Sequence, residues 1–266
     1  MLSDFLCPVC RARLAREEKR LFCPAGHSFD ISARGYVNLL TGSSPAHGDN
    51  REMIAARHRF LSRGFYAPLR AALDRIAEAY AEPDGICVDA GCGEGYYTEA
   101  LSRRFGRCVG FDLSKDALRL AAKALPDVRF AVASVYRLPF PDCSAAFLSC
   151  LFAPLAIEEY ARILRPDGIF LLAVPGARHL FSMKKVLYDT PYENPAADEE
   201  LPGLKFLQKE EIAFSFTLPD CGAIADLFAM TPYYYRTPAA GRERLAALDS
   251  LETEAVFSVL VYQKQS

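Results

Sequence analysis

The run Val88-Asp89-Ala90-Gly91-Cys92-Gly93-Glu94-Gly95 constrains this chain more than any other stretch. It ends a short apolar segment, Ile86 to Ala90, that reads as a strand, and it precedes a helical pattern from Tyr97 to Arg104. Glycines at alternate positions let backbone pass closer to a ligand than any side chain would allow. A dinucleotide-binding turn is spaced G-x-G-x-x-G. Here the spacing is G-x-G-x-G, with Asp89 two residues before the first glycine. That pattern suits a cofactor without a pyrophosphate.

Strand and helix patterns alternate beyond the turn. Cys108–Asp112, Val128–Ala133, Ala145–Phe152 and Gly168–Val174 read as strands, while Ser114 caps a helix to about Ala124 and Ile157–Leu164 reads as another. Ala213–Thr217 and Val256–Gln263 are candidate edge strands, with a helix at Cys221–Met230 between them. The alternation predicts an α/β fold: a mostly parallel, seven-stranded sheet with helices on both faces. In such sheets ligands lie beyond the carboxyl ends of the strands. Asp112, 19 residues past Gly93, can accept ribose hydroxyls there, and Ser134 follows the third strand where an adenine would lie. Ala161-Arg162-Ile163-Leu164-Arg165-Pro166-Asp167-Gly168 resembles the turn before the fifth strand of class I methyltransferases. The cofactor reading is therefore S-adenosylmethionine, its amino-acid end over Gly91 and Gly93, on a Rossmann-like core.

A second constellation precedes this core. Cys7-x2-Cys10 and Cys23-x3-His27 place four soft or borderline ligands in two close pairs, and the intervening residues can form a hairpin that brings the pairs together. Zinc accepts a Cys3His set tetrahedrally, and with all four positions filled by protein the ion is structural. The alternative, a redox dithiol, lacks its βαβ context. The other cysteines, Cys87, Cys92, Cys108, Cys143, Cys150 and Cys221, lie mostly in apolar runs, and the odd total of nine argues against a disulfide framework. The expected organisation is a zinc-binding module at 1–40, which the resemblance described next makes an RNA-recognition module, a polar linker and two helices meeting at Gly64–Pro68 within 41–80, and a cofactor domain at 81–266. Loss of metal is expected to open residues 1–40 while the core still melts cooperatively. No basic segment leads into an N-terminal apolar run, and apolar stretches such as Ile169 to Val174 are too short to cross a bilayer, so a cytoplasmic protein without membrane attachment is expected.

These pieces resemble the bacterial 23S ribosomal RNA guanine-N1 methyltransferases, a group that includes enzymes of tylosin-type macrolide resistance. The marks are Cys7-Pro8-Val9-Cys10, Cys23-Pro24 with His27, Gly35-Tyr36-Val37-Asn38-Leu39-Leu40, Gly48-Asp49, Gly64-Phe65-Tyr66, the glycine turn, Arg137-Leu138-Pro139-Phe140, Pro175-Gly176 with Arg178-His179-Leu180, and Met230-Thr231-Pro232. The resemblance implies a homodimer whose zinc modules help grip a 23S rRNA hairpin loop. It also implies cofactor contacts at Tyr66, Gly93, Glu94 and His179. Some relatives carry several basic residues where 41–51 here has none before Arg51.

Charge is unevenly spread. Residues 1–75 hold 12 Lys and Arg against 7 Asp and Glu, whereas the remainder holds 19 against 26. A basic front half can steer a polyanion, and Arg57, Arg59 and Arg63 are expected to contact RNA backbone. For chemistry at guanine N1 a proton must leave; Asp142 and Glu94 are the nearest acidic candidates by topology, and Phe152 reads equally as a base-stacking residue or as core. Tyr36 and Tyr233-Tyr234-Tyr235 are further stacking candidates, with packing the stronger reading. Two other functions stay open: a small-molecule methyltransferase, and a non-catalytic ribosome-binding protein that keeps a residual pocket.

Overall fold

The computed structural model describes residues 2–41 and 49–265. Most of the turn-rich linker read from the sequence, residues 42–48, lies outside them. The chain begins with a four-stranded antiparallel sheet: β1 (Leu2–Leu6), β2 (Arg13–Glu17), β3 (Arg20–Phe22) and β4 (Ser28–Asp30). Next come β5 (Tyr36–Asn38), α1 (Arg51–Ser62) and α2 (Ala67–Glu78). Asn50 caps α1 by accepting from the Met53 amide. Gly64, at φ +79°, turns the chain, and Pro68 sits in the first turn of α2, where its missing N–H costs nothing.

The core then alternates β6 (Ile86–Ala90), α3 (Thr98–Ser102), β7 (Arg107–Asp112), α4 (Lys115–Ala124), β8 (Arg129–Val132), β9 (Ala145–Leu151), α5 (Ile157–Ile163) and β10 (Leu164–Pro175). It closes with α6 (Phe181–Leu187), β11 (Leu204–Leu218), α7 (Cys221–Ala229), α8 (Tyr233–Arg236), α9 (Ala239–Ala246) and β12 (Leu251–Lys264). Ser114 caps α4 through the Ala117 amide, as the sequence predicts. The two C-terminal strands are far longer than their alternating stretches suggested, because each pairs along its whole length with the other.

The large sheet runs β11-β12-β10-β9-β6-β7-β8-β5, and β12 alone runs against the direction of the other strands. It has eight strands, not the expected seven. The eighth is β5, which pairs parallel with β8 from Tyr36↔Phe130 to Asn38↔Val132. Without it, β8 would present an open edge of unpaired amides.

Helices lie on both faces of the sheet, as expected, but unequally. One face packs against Leu69 and Leu73 of α2, Leu101 of α3, Leu118 of α4 and Met183 of α6. On the other, α5 contributes Tyr160 and Ile163, but the β8–β9 connection, residues 133–144, carries no helix. The N-terminal sheet fills that place. Phe5, Leu14, Leu21 and Val37 join one buried cluster with Val109, Phe111 and Ala131, and the Phe5 and Phe111 rings meet edge-on at 5.6 Å. Polar ties fix the docking. Asp4, nearly buried, pairs with Arg107 at 3.1 Å and with Arg129. The Leu6 amide donates to Pro139 O at 2.8 Å, and Arg11 donates to the carbonyls of Leu138 and Phe140 at 3.1 and 3.3 Å.

This interface replaces the expectation that residues 1–40 open alone. A parallel sheet is stable only with both faces covered, so loosening the N-terminal sheet uncovers the core. Phe5→Ala is expected to destabilise the whole protein by about 3–5 kcal/mol, the cost of deleting a buried Phe side chain. Calorimetry should show one transition at lower temperature; a core transition unchanged beside a separate early melt would refute the shared layer.

Candidate active site and metal centre

The β2–β3 hairpin returns the second ligand pair to the first. Cys10 Sγ and Cys23 Sγ lie 3.6 Å apart, and His27 Nδ1 lies 3.5 Å from Cys7 Sγ and 3.3 Å from Cys23 Sγ. All four ligand atoms fall within 4.8 Å of one another. Tetrahedral zinc with arms of ~2.3 Å has ligand–ligand edges of roughly 3.8 Å, so both the donor set and its spacing fit. Among the described residues of the core, Cys143 and Cys221 are exposed, while Cys87, Cys108 and Cys150 are buried.

The second site lies at the carboxyl ends of the parallel strands. The chain runs outward from β6 to β7 and β8, then restarts on the other side at β9, so β6 and β9 flank the reversal point where α/β sheets bind ligands. The amides of Gly91 and Cys92 donate to Phe111 O at 2.8 and 3.0 Å. Two glycines there do different work. A Cβ on Gly91 would stand 2.3 Å from Ala153 Cβ, whereas a Cβ on Gly93 would meet nothing within 4 Å. Gly91 is closed off by the loop after β9; Gly93 faces open space.

Carboxylates surround that space. Asp89 is buried and accepts from Thr98 Oγ1 at 2.5 Å and Ser149 Oγ at 2.8 Å, and burial pushes its pKa up to about 6. Asp112 accepts from the Gly93 amide at 2.9 Å and the Ser114 amide at 2.8 Å, and burial raises its pKa too. It therefore anchors the glycine turn besides offering lone pairs to a ligand. Glu94 Oε1 lies 3.2 Å from His58 Nδ1, while its Oε2 is buried without a partner. Burial raises the pKa of Glu94 as well. An orphaned carboxylate oxygen beside an open glycine is the kind of vacancy a polar ligand group fills.

Tyr66 and His179 come together although 113 positions separate them in sequence. Their rings lie 6.3 Å apart and both pack on Phe257, at 5.2 and 4.6 Å. His179 Nδ1 accepts from the Val256 amide at 3.3 Å, and burial depresses the imidazole pKa to about 3. The ring is thus neutral, with its proton on Nε2. Phe152 directly follows β9 at φ +59°, 43% exposed, its ring centre 5.3 Å from that of Phe257 and 6.1 Å from that of Tyr97. Ser134 turns the chain after β8, its Oγ accepting from the Tyr136 amide at 3.3 Å.

Asp142 is not brought to this site. It precedes β9, at the opposite end of the parallel strands, where it is exposed and pairs with Arg162 and, at 3.5 Å, with Arg11. The three arginines expected to face RNA are engaged as well. Arg57 pairs with Asp49, Arg59 with Asp226 at 2.5 Å, and Arg63 with Asp220 at 2.8 Å. The last two fasten the end of α1 to α7, so the charge of Arg59 and Arg63 is neutralised by the body. Tyr233 is buried, and exposed Tyr235 accepts from Asn50 Nδ2 at 3.0 Å. Thr98, Ser149, Ala153 and His58 all shape the site and were not legible in the sequence, since only tertiary contact gives them partners.

The family description "RlmA, N-terminal" matches residues 5–43, and "Methyltransferase domain" matches 88–172. A Micromonospora griseorubida protein assigned as a 23S rRNA (guanine-N1)-methyltransferase is 43% identical over 205 residues, 69% of each chain. The Streptomyces fradiae 23S rRNA (guanine(748)-N(1))-methyltransferase is 34% identical over 264 residues, covering 95% of this chain and 93% of the relative. Among solved structures, the Bacillus subtilis YcgJ protein superposes with a TM-score of 0.52 at 18% identity, over 74% of this chain and 99% of its own; that likeness concerns the fold alone.

The two glycines separate in a melting experiment. Gly91→Ala should destabilise the free protein severely, because the new methyl overlaps Ala153. Gly93→Ala should cost only the left-handed backbone penalty, about 1–2 kcal/mol. Equal losses in thermal denaturation would contradict the open cradle at Gly93.

Proposed function

The chain belongs to the family of 23S ribosomal RNA (guanine-N1)-methyltransferases, and on that premise we propose how its residues serve methyl transfer to an RNA base. The observation that carries the reading is the open space at Gly93, bounded by Asp112 and the orphaned Glu94 oxygen, on a chain that also holds a Cys3His cluster. S-adenosylmethionine supplies an electrophilic methyl on a sulfonium. Gly93 lets its amino-acid end approach the backbone, Gly91 lets the loop after β9 close on the turn, and Asp89 lies buried beneath them. Asp112 keeps lone pairs for ribose hydroxyls, Ser134 serves the adenine end, Glu94 offers its unpartnered oxygen, and Tyr66 and His179, packed together on Phe257, are assigned further cofactor contacts. Cys7, Cys10, Cys23 and His27 hold structural zinc.

Guanine N1 carries a proton, and its lone pair becomes nucleophilic as that proton leaves. With S-adenosylmethionine bound, the N1–C bond would form as the methyl–sulfur bond breaks, sulfur would keep that electron pair, and the N1 proton would pass to solvent water. What the protein contributes is alignment. Half-exposed Phe152, at the carboxyl end of β9, offers a face on which an everted base can stack. A hairpin loop is the favoured target, because N1 is hidden in a paired guanine. Residues 1–40 serve as the RNA-recognition module, 41–80 as linker and helices, and 81–266 as the cofactor domain. Among the described residues, Arg13, Arg16, Lys19 and Arg34 are exposed without an ion pair, and these supply the backbone grip. Homodimeric assembly, cytoplasmic location and macrolide resistance complete the proposal; among the described residues no helix is long and apolar enough to cross a membrane.

Labelling and primer extension test it first. Purified protein with tritiated cofactor should label 23S RNA, and primer extension should show one new stop, since N1 methylation blocks pairing. Label passing to a metabolite extract and not to RNA would put the small-molecule reading first. Gly93→Val and Asp112→Ala should each weaken cofactor binding in calorimetry, the latter by about 1.5–3 kcal/mol. Replacing Arg13, Arg16 and Lys19 with Ala should reduce the salt dependence of RNA binding, whereas replacing Arg59 and Arg63 should lower stability; the reverse pattern would refute the proposed grip.

A further inference from the structure

Lys184 of α6 has no role in the chemistry above, yet it is fully buried. Among the described residues it has no carboxylate partner within ion-pair distance. Its Nζ donates to Tyr192 O at 3.0 Å and Asn194 Oδ1 at 2.8 Å, and lies 4.4 Å from the centre of the Tyr192 ring and 5.4 Å from that of Tyr233. A buried ammonium persists only where hydrogen bonds and ring faces replace its water. Burial lowers its pKa, as expected for a cation so enclosed.

The segment it holds is unusual. Residues 188–203 form no helix or strand, and connections longer than about 12–15 residues without secondary structure are uncommon and usually functional when ordered. Three consecutive residues of this strap are tied down. Tyr192 is held by Lys184, and Glu193 pairs with Arg178 at 3.2 Å. Asn194 donates to Gly176 O through its side chain and to Ala177 O through its amide, each at 2.8 Å. Gly176 to His179 form the turn directly after β10, at the same sheet end as the glycine loop, and His179 packs on the Phe257 ring that also touches Phe152. The strap is therefore tied to the turn that leaves β10 at the site's end of the sheet. Tyr192 is 45% exposed there, one face against the buried cation and the ring braced 5.6 Å from that of Tyr188.

We propose that Tyr192 stacks an unpaired nucleobase next to the target guanine, with Lys184 as the positioning residue that holds its ring in place. A stacking face serves only if it is fixed before the base arrives, and the buried cation fixes it from behind. This inference rests on the RNA reading given above.

Steady-state methylation of a 23S hairpin fragment tests it, with the full-length protein as Tyr192→Ala, Tyr192→Phe and Lys184→Met. Stacking removed by alanine should raise KM for RNA about 5-fold or more. The turnover rate and the affinity for S-adenosylhomocysteine should stay within about twofold, and Tyr192→Phe should restore the wild-type KM, because its ring still stacks. Lys184→Met should raise KM likewise and speed amide exchange in 189–195. An unchanged KM in Tyr192→Ala, an effect confined to turnover or cofactor affinity, or a shift in oligomeric state with KM unmoved would overturn the proposal. If Lys184→Met does not fold, the Tyr192 pair alone decides. If the unaltered protein leaves RNA unmethylated, the RNA reading itself falls and takes this one with it; a methylating wild type with an indifferent Tyr192→Ala sinks this inference alone.

Discussion

A parallel sheet must be covered on both faces, and in this chain one stretch of it can be covered only by the N-terminal sheet. No helix is present in residues 133–144 to shield β7 and β8, so Phe5, Leu14 and Leu21 occupy that place. Much else follows from this substitution. β5 closes the β8 edge, and Asp4 draws in the arginines that begin β7 and β8. The Cys3His cluster sits at the end of strands that are part of the core packing. A small sheet of this size has too little core to hold its own shape, so metal-ligand geometry in the N-terminal module and burial in the cofactor domain support one another.

The cofactor end is organised by a different economy of contacts. Asp112 ties its own strand to the glycine turn through the Gly93 amide, and Asp89 is fixed from below by Thr98 and Ser149. Both carboxyls are raised in pKa by burial, a cost that hydrogen bonds from the loop partly offset. Helix α1 reaches over this region. Its His58 meets Glu94, and its arginines bind the far side through Asp220 and Asp226. Positive charge that looks available for a polyanion in the sequence is thereby spent on holding a helix in position, and the exposed cations of the N-terminal sheet are left as the better candidates for phosphate.

Much of this was legible beforehand. The glycine turn, Asp112 at the end of β7, the Ser114 cap and the α1–α2 break at Gly64–Pro68 all depend on short-range rules, and each is where the pattern placed it. The ligand pairs met because the hairpin between them is local. Asp142 was misplaced because sequence order shows that it precedes a strand but not which strand end matters. The lengths of β11 and β12 were underestimated because their extra residues are stabilised by one another and by little in their own composition.

Residue type and spacing, acting over a few neighbours, determined by themselves the cofactor turn, the metal ligands and the alternation that makes an α/β sheet. The tertiary structure alone decided which layer covers β7 and β8, where Arg57, Arg59 and Arg63 find their counter-charges, and that Lys184 is buried against a strap. The reason is physical. A backbone turn is selected by its own dihedral preferences, whereas the free energy of a charge or an apolar face depends on what stands opposite. For Arg59 that partner is Asp226, 167 positions away, and an unpaired arginine and a paired one read alike until the chain has folded.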